Sequence, residues 1–181
     1  MNTTFQLKDG SPYTVRRAKE GDLEKLIQVL LEVARDDEFT SVTYPEAESQ
    51  ILASEERLKN LLQNEDEHFI YLIGLVDDEI IGFCDIHIGK KTRTKHVAEF
   101  GRSVVKKWRR TWAGKFLQLS AIEFVRNLKT IEKISLNISS NNTSSLKSCQ
   151  SNGFKLEAGR KKEIRLGAQN YADLLTYVLY L

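Results

Sequence analysis

A cluster of basic residues beside a helix start is the feature of this sequence with the clearest chemistry. Arg109, Arg110 and Lys115 surround the segment WRRTWAG, residues 108–114, which leads into an amphipathic helical pattern. The first turn of a helix presents backbone N–H groups without partners and the positive end of the helix dipole, so it binds anions such as a pyrophosphate. The alternative is a surface loop with solvated basic side chains and Trp112 packed on the domain. Because every non-proline residue keeps its N–H donor, the anion site is favoured.

The histidines and cysteines give no pattern typical of a metal centre. His68, His87 and His96 show no ligand spacing with one another or with the cysteines, and all three fall in segments typical of strands. Cys84 and Cys149 are the two cysteines of the chain, which is too few for a disulfide framework in a chain without an export signal. We therefore predict two free thiols, no metal site and a core position for Cys84.

The spacing of apolar residues predicts the elements that position these groups. β-rich segments on both sides of the acidic turn at residues 77–79 indicate an antiparallel hairpin, and Gly153 is suited to a left-handed helix end. The predicted strands are 13–17, 68–76, 80–88, 96–105, 132–138, 154–165 and 171–181, and the predicted helices are 21–34, about 46–62, 116–128 and 142–152.

The order of these elements predicts the fold class. A strand, a helix and a strand follow one another between residues 96 and 138, which indicates a right-handed crossover and a parallel strand pair. The hairpins on both sides of this unit are antiparallel. We therefore expect an α/β (α+β) fold with a mixed, mostly antiparallel central sheet, a parallel pair at its centre, and helices on its flanks.

Length and composition indicate a single domain over residues 1–181. The chain has 41% hydrophobic and 29% charged residues, values typical of one compact domain. Its 27 Lys and Arg residues against 25 Asp and Glu give a net charge of +2, which provides no general attraction to nucleic acid or an acidic membrane. The polar start lacks the layout of a signal peptide, and no run of about 18 apolar residues suggests a membrane span. We expect a cytoplasmic protein that binds neither nucleic acid nor membrane.

Four segments, in the same order along the chain, carry a resemblance to a known family. They are HVAEFGRSVVKKWRR, WRRTWAGKFL, NNTSSLKSCQSNGFKLEAGR and QNYADLLTYVLYL. Together they resemble the GNAT superfamily of acyl-CoA-dependent N-acetyltransferases over nearly the whole chain. The resemblance implies acetyl-CoA as the co-substrate, lying where the two parallel strands splay apart, and an amine that attacks its thioester.

The resemblance also assigns the basic loop to the co-substrate. The family's loop reads Arg or Gln, two free positions, Gly, one free position, then Gly or Ala. Arg109 and Gly114 match this pattern, whereas Trp112 stands where glycine is usual and Arg110 where glycine is frequent. Since glycine takes a left-handed φ without steric cost, these two side chains make such a conformation of the loop more costly.

Further cofactor contacts are implied at two strand ends. Main-chain groups of Ser103, Val104 and Val105 are expected to pair with pantetheine amides and to polarise the thioester carbonyl. Asn142 matches a family asparagine that caps the following helix or contacts pantetheine, two compatible roles. The implied cofactor-binding residues are Ser103, Val104, Val105, Arg109, Arg110, Thr111, Trp112, Ala113, Gly114, Lys115 and Asn142.

Two candidate catalytic residues follow from the same resemblance, in which a strand carboxylate acts as base and a tyrosine as acid. Glu99 lies at the carboxylate position; the alternative is an exposed strand residue or an ion-pair partner. Cys149 lies at the tyrosine position, four residues before Gly153. A thiol with a reference pKa of ~8.5 could protonate a leaving thiolate, but a small buried helix residue is the favoured interpretation.

We thus predict an N-acetyltransferase that acts by direct attack in a ternary complex. The acceptor is a primary amine on a small molecule, a polyamine or a protein N-terminus. The alternative is a catalytically impaired acyl-CoA-binding or interaction protein, indicated by Trp112 and Cys149. The acceptor pocket is expected from residues 35–44, including Glu38 and Phe39, and from residues 167–171. A homodimer is compatible with the sequence, which does not define the oligomeric state.

Overall fold

The fold is described from a computed structural model, which covers residues 2–36, 39 and 42–181. The strands are β1 Asn2–Gln6, β2 Pro12–Arg17, β3 Phe69–Val76, β4 Glu79–Ile88, β5 Val97–Val104, β6 Lys133–Ser139, β7 Lys155–Arg165 and β8 Tyr171–Tyr180. The helices are α1 Leu23–Asp36, α2 Tyr44–Ala53, α3 Glu55–Gln63, α4 Ala113–Asn127 and α5 Thr143–Ser151.

All eight strands form one sheet in the order β1-β2-β3-β4-β5-β6-β8-β7. Within the described residues, β5 and β6 are the one parallel pair, and every other neighbouring pair is antiparallel. The closing hairpin adds β8 beside β6 and leaves β7 at the edge of the sheet. The predicted fold class is therefore confirmed.

Helices cover both faces of this sheet and bury two apolar clusters. On one face, α4 buries Leu117, Ala121 and Val125 completely against the central strands. On the other face, α1 and α3 bury residues such as Leu26 and Leu58 against β3 and β4. The parallel pair of β5 and β6 lies at the centre of the sheet.

Two elements differ from the prediction. Strand β1 was not predicted because its residues are mostly polar; it is held by Phe5, whose ring stacks on Phe116 of α4 at a centroid distance of 4.5 Å. The single helix predicted for residues 46–62 is two helices that meet at Ser54, where ψ is 4°. This break lets α3 turn its own apolar residues towards the core.

No helix in the described part of the chain is long and apolar enough to cross a membrane.

Candidate active site

The parallel strands β5 and β6 separate along their length and open a cleft. They pair from Val97 with Lys133 to Glu99 with Ser135. Beyond these pairs, β5 continues to Val104 and β6 to Ser139 without pairing to each other. We call the opening between residues 100–104 and 136–139 the splayed cleft. It contains a larger cavity of about 520 Å³ and a smaller one of about 330 Å³.

The smaller cavity lies at the N-terminus of α4. Arg109, Arg110 and Gly114 line it together with Val104. The side chain of the N-cap residue, Trp112, makes no cap hydrogen bond. The first-turn N–H groups of α4 also lack partners within the helix, because a helix bonds its amides four residues back. The cavity therefore combines free backbone donors, a helix dipole and two guanidinium groups, a donor set that fits a pyrophosphate.

Helix α5 closes the opposite side of the cleft. Asn142 caps this helix, and its Oδ1 accepts a hydrogen bond from the Ser145 N–H at 3.1 Å. Asn142 and Ser145 line both cavities. The expected cap is present, and the same residue faces the space where pantetheine is expected.

A hydrogen-bonded group of side chains lies at the centre of the cleft. Arg102 Nη1 donates to Gln118 Oε1 at 2.6 Å, and the Ser148 hydroxyl donates to the same oxygen at 2.7 Å. Gln118 is fully buried, and its Nε2 donates to Cys149 Sγ at 3.8 Å. Arg102 lies near the Cys149 thiol, close enough for its charge to favour the ionised form of that group. The network thus links β5, α4 and α5.

Burial changes the ionisation of two members of this network. It raises the pKa of the Cys149 thiol, although the charge of Arg102 and the hydrogen bond from Gln118 oppose the change. It lowers the pKa of the Arg102 guanidinium, which nevertheless stays charged because arginine starts from a very high value. The cleft therefore holds a neutral thiol beside a permanent cation.

The larger cavity carries a carboxylate that the sequence did not single out. Asp85 of β4 lines this cavity and lies opposite Gly101 of β5. A Cβ atom at position 101 would lie 2.9 Å from Asp85 Oδ1, so glycine makes room for the carboxylate. His87 Nε2 lies 3.1 Å from Asp85 Oδ2. Asp85 thus faces the cleft in a defined orientation.

The predicted base, Glu99, lies elsewhere on the same face of the sheet. It is exposed, and its Oε1 accepts a hydrogen bond from Asn137 Nδ2 at 2.7 Å. It pairs with His87 rather than with Asp85 across β4 and β5, and it does not line either cavity among the described residues. Its role as base stays a prediction, and Asp85 is the carboxylate that borders the cavity.

Comparison with known proteins matches this chain to a family. The family model described as "Acetyltransferase (GNAT) domain" matches residues 13–155. The chain belongs to this GNAT family. The predicted membership is thereby confirmed, and the family's co-substrate is acetyl-CoA, as the sequence predicted.

Individual GNAT relatives agree with this assignment. The L-amino acid N-acetyltransferase AaaT of Escherichia coli (strain K12) is 28% identical over 103 residues, which cover 56% of this chain and 62% of that protein. The match thus spans less than two thirds of the relative's length.

Solved GNAT structures show the same fold. A GCN5-related N-acetyltransferase from Kribbella flavida has a TM-score of 0.78 at 17% identity, covering 93% of this chain and 98% of that one. The acetyltransferase yncA of Salmonella typhimurium, solved with its cofactor acetyl-CoA, has a TM-score of 0.72 at 15% identity, covering 93% of each chain.

The cofactor loop adopts left-handed backbone at both positions where the GNAT pattern has glycine. Arg110 has φ of 66° and Trp112 has φ of 80°. A left-handed conformation costs an L-residue about 1–2 kcal/mol, so tertiary contacts hold this loop. The Lys8 N–H donates to the Thr111 carbonyl at 3.2 Å, and Lys8 Nζ lies 5.5 Å from the centroid of the Trp112 ring. Arg110 and Trp112 thus adopt the left-handed conformation that glycine would adopt at these two positions.

The predicted GNAT site residues fall into two groups. Those that line a cavity of the splayed cleft are Ser103, Val104, Arg109, Arg110, Gly114, Asn142 and Cys149. Those that do not line it among the described residues are Glu99, Val105, Thr111, Trp112, Ala113 and Lys115.

Several residues of the second group already have other contacts. Val105 is buried, its N–H donates to the Ile81 carbonyl at 3.0 Å, and its carbonyl accepts from the Trp108 N–H at 2.9 Å. Both of its main-chain groups are therefore engaged within the protein. The Thr111 hydroxyl donates to the Trp108 carbonyl at 2.7 Å. For these residues, cofactor contact stays a prediction.

The expected acceptor region is present in part. Phe39 lines both cavities, whereas Glu38 lies outside the described residues. The closing hairpin contributes Ile164 and Leu174 to the larger cavity, and the predicted residues 167–171 do not line it among the described residues.

Sequence analysis missed Arg102, Gln118 and Asp85, although two of them carried a signal. Arg102 lies two residues from Phe100 and two from Val104 along β5, so it shares their face of the sheet, which is an inward one. Gln118 lies three, four and seven residues before the buried Ala121, Ile122 and Val125, which places a polar side chain in an apolar stripe. Asp85 carried no local signal, since its place depends on the pairing of β4 with β5.

Proposed function

We propose that this protein is an acetyl-CoA-dependent N-acetyltransferase that acts on a primary amine by direct attack in a ternary complex. The observation that carries the proposal is the splayed cleft with the uncapped N-terminus of α4 at its smaller cavity. This combination provides one site for a phosphate-bearing co-substrate and a second space, the larger cavity, for an acceptor. Acetyl-CoA supplies an activated acyl group when bound there.

The residues of the smaller cavity would hold the co-substrate. The amides of the first turn of α4 and the Arg109 and Arg110 side chains bind the pyrophosphate, because several convergent donors and a positive dipole stabilise its charge. The open edge of β5 at Ser103 offers main-chain groups to the pantetheine amides, whereas the Val104 carbonyl accepts a hydrogen bond from Arg109 Nε at 3.1 Å. This arrangement directs the thioester towards Arg102, where the two cavities meet.

The larger cavity would receive the amine. Asp85 attracts the ammonium form and then accepts a proton as the amine becomes nucleophilic. His87 orients this carboxylate through the 3.1 Å contact. The negative charge of Asp85 has a visible electrostatic effect, because it adds to burial in raising the pKa of Tyr71, its cross-strand neighbour. A primary amine is thus the acceptor chemistry that this face of the sheet favours.

An apolar space beside His87 narrows the class of amine. A cavity of about 300 Å³ lies between the helices α1, α2 and α3 and the strands β3 and β4. His87 contacts the Phe69 ring at a centroid distance of 4.1 Å, so the Asp85–His87 pair lies between this space and the cleft. We expect an amine with an apolar body to bind better than a polyamine. Residues that line this space are Leu30, Ile51, Ser54, Arg57, Leu58, Leu61, Phe69, Tyr71 and His87.

Binding and turnover test the proposal separately. Acetyl-CoA should raise the melting temperature of the protein, because a ligand that binds the folded state stabilises it by mass action. Turnover is measured as thiol release with a panel of apolar primary amines and polyamines. Binding without turnover on any amine would support the alternative of an impaired acyl-CoA-binding protein. Absence of binding would refute both.

A substitution at Gly114 localises the co-substrate. Gly114 lines the smaller cavity, and a Cβ there would meet only ordinary contacts, at 3.5 Å from Val104 Cγ2. Gly114→Leu should therefore fold and fill the cavity, which removes acetyl-CoA binding. Glu123→Leu, on an exposed position of the same helix, is the size-matched control and should bind normally. Equal binding by both variants would place the co-substrate elsewhere.

A further inference from the structure

Arg102 is a cation at the centre of the cleft without an anionic partner. Among the described residues, no carboxylate forms an ion pair with it. Its described hydrogen-bond partner is the neutral Gln118 amide, and the neutral Cys149 thiol lies near it. Removing a charge from water is costly unless an opposite charge or hydrogen bonds compensate it. A cation placed in this way is suited to an anion that appears in the cleft.

The position of Arg102 is the junction of the two cavities. The larger and the smaller cavity share Arg102 and Ser103 of β5 and Asn142 and Ser145 at the start of α5. If the co-substrate occupies one cavity and the amine the other, the bond that breaks lies at this junction. The guanidinium therefore borders the place where the sulfur of the leaving thiol would be.

Cys149 leaves room for this guanidinium. It stands where the GNAT pattern has a tyrosine, and it is shorter and buried. Because burial raises the pKa of its thiol, Cys149 is a weaker proton donor than an exposed cysteine. In this chain the Gln118 amide connects Arg102 to the Cys149 thiol, so a fixed cation lies beside the position of the usual proton donor.

Gln118 fixes the orientation of the cation. Its Oε1 accepts hydrogen bonds from both Arg102 and Ser148, at 2.6 and 2.7 Å, while its Nε2 points to Cys149 Sγ. The amide cannot rotate without losing all three contacts. Gln118 is thus a positioning residue, since it acts through Arg102.

We propose that Arg102 is a catalytic residue that stabilises the thiolate released from acetyl-CoA, in place of protonation by a tyrosine. This inference rests on the proposed function. The amine nitrogen forms a bond to the acyl carbon, and the carbon–sulfur bond breaks with its electron pair going to sulfur. The amine proton goes to Asp85 or solvent. The negative sulfur then lies beside the Arg102 guanidinium until solvent protonates it.

A kinetic experiment tests the catalytic role of Arg102 by removing or keeping its positive charge. Arg102→Met should lower kcat by about 10²–10³-fold, the usual loss for one preorganised donor at a developing charge, with a much smaller change in KM for acetyl-CoA. Arg102→Lys keeps the charge and should recover part of the activity. Arg126→Met, on an exposed position of α4, is the matched control and should turn over normally. A folded Arg102→Met variant with the wild-type kcat would overturn the inference while leaving the acetyltransferase intact.

A spectroscopic experiment does not depend on turnover. The ultraviolet absorbance of thiolate is followed while the complex with CoA is titrated with base, and the complex with desulfo-CoA supplies the protein background. An adjacent cation favours the ionised form, so CoA bound to the wild-type protein should contain at least about tenfold more thiolate than free CoA at the same pH. An equal thiolate fraction would refute the role, even if Arg102→Met did not fold. A protein that binds no CoA would instead refute the proposed function.

Discussion

The left-handed residue Trp112 allows a direct test of how the cofactor loop is held. It has φ of 80° and ψ of −4° as the N-cap of α4, and its side chain is 48% exposed. Its ring contacts Phe116 edge-on at a centroid distance of 6.4 Å. The perturbation is a pair of substitutions, Trp112→Gly and Trp112→Ala. Both remove the ring, so its lost contacts cancel when the two variants are compared.

The difference between the two variants is set by the backbone. Alanine in the left-handed region costs about 1–2 kcal/mol that glycine avoids. Glycine loses more chain entropy on folding, which offsets about 0.4–1 kcal/mol of this gain. We therefore expect the free energy of unfolding of Trp112→Gly to be about 1 kcal/mol higher than that of Trp112→Ala.

Urea unfolding at equilibrium measures this difference. The same pair at Glu123, an exposed residue inside α4, is the control, because there alanine should be the more stable by about 1 kcal/mol. Trp112→Gly should also bind acetyl-CoA as the wild-type protein does, since it keeps the N–H donors and the conformation of the loop. A Trp112→Ala variant as stable as Trp112→Gly would refute the left-handed conformation.

Three further predictions concern the acceptor side and the packing of the fold. Asp85→Asn should lower kcat/KM for the amine about 10²-fold or more with unchanged acetyl-CoA binding; an unaltered kcat/KM would exclude Asp85 as the base. Gly74→Ala should cost about 1–3 kcal/mol or more, because a Cβ there would lie 1.8 Å from the buried Tyr13 hydroxyl; calorimetry showing an unchanged melting temperature would contradict this packing. Burial alone would raise the pKa of Asp22, but the hydrogen bonds from Arg16 and from the Lys19 N–H, together with the charges of Arg16 and Lys25, outweigh this and lower the pKa below 3.8. The resulting stability is present above that pH and is lost as the pH falls further, so Asp22→Asn should flatten the acid limb of unfolding measured against pH.

The elements that were predictable from the sequence are those with strong local periodicity. The helical stripe of α4 follows from apolar spacing, and the strands β3 and β4 follow from β-rich segments on both sides of an acidic turn. Strand β1 was not predictable in this way, since its alternation is weak and its main anchor, Phe5, packs on a residue more than 100 positions away. The break at Ser54 was also missed, because no glycine or proline marks it.

In the candidate site, too, the features that were predictable from the sequence are the local ones. The sequence predicted the loop before α4 as the cofactor loop, because helix starts and main-chain donors are local properties that survive changes of side chain. It also marked Trp112 and Cys149 as departures from the family pattern. It did not reveal that the loop takes the left-handed conformation without glycine, which depends on contacts from residues such as Lys8 in the N-terminal hairpin.

The sequence by itself determined the family and the order of most elements, and it predicted the segment that faces the co-substrate. Only the tertiary structure showed that Asp85 borders the larger cavity and that Arg102 lies between Gln118 and Cys149. The physical reason is that these side chains come from β4, β5, α4 and α5. Their distances are set by strand register and helix packing across the sheet, which no local pattern of residues encodes.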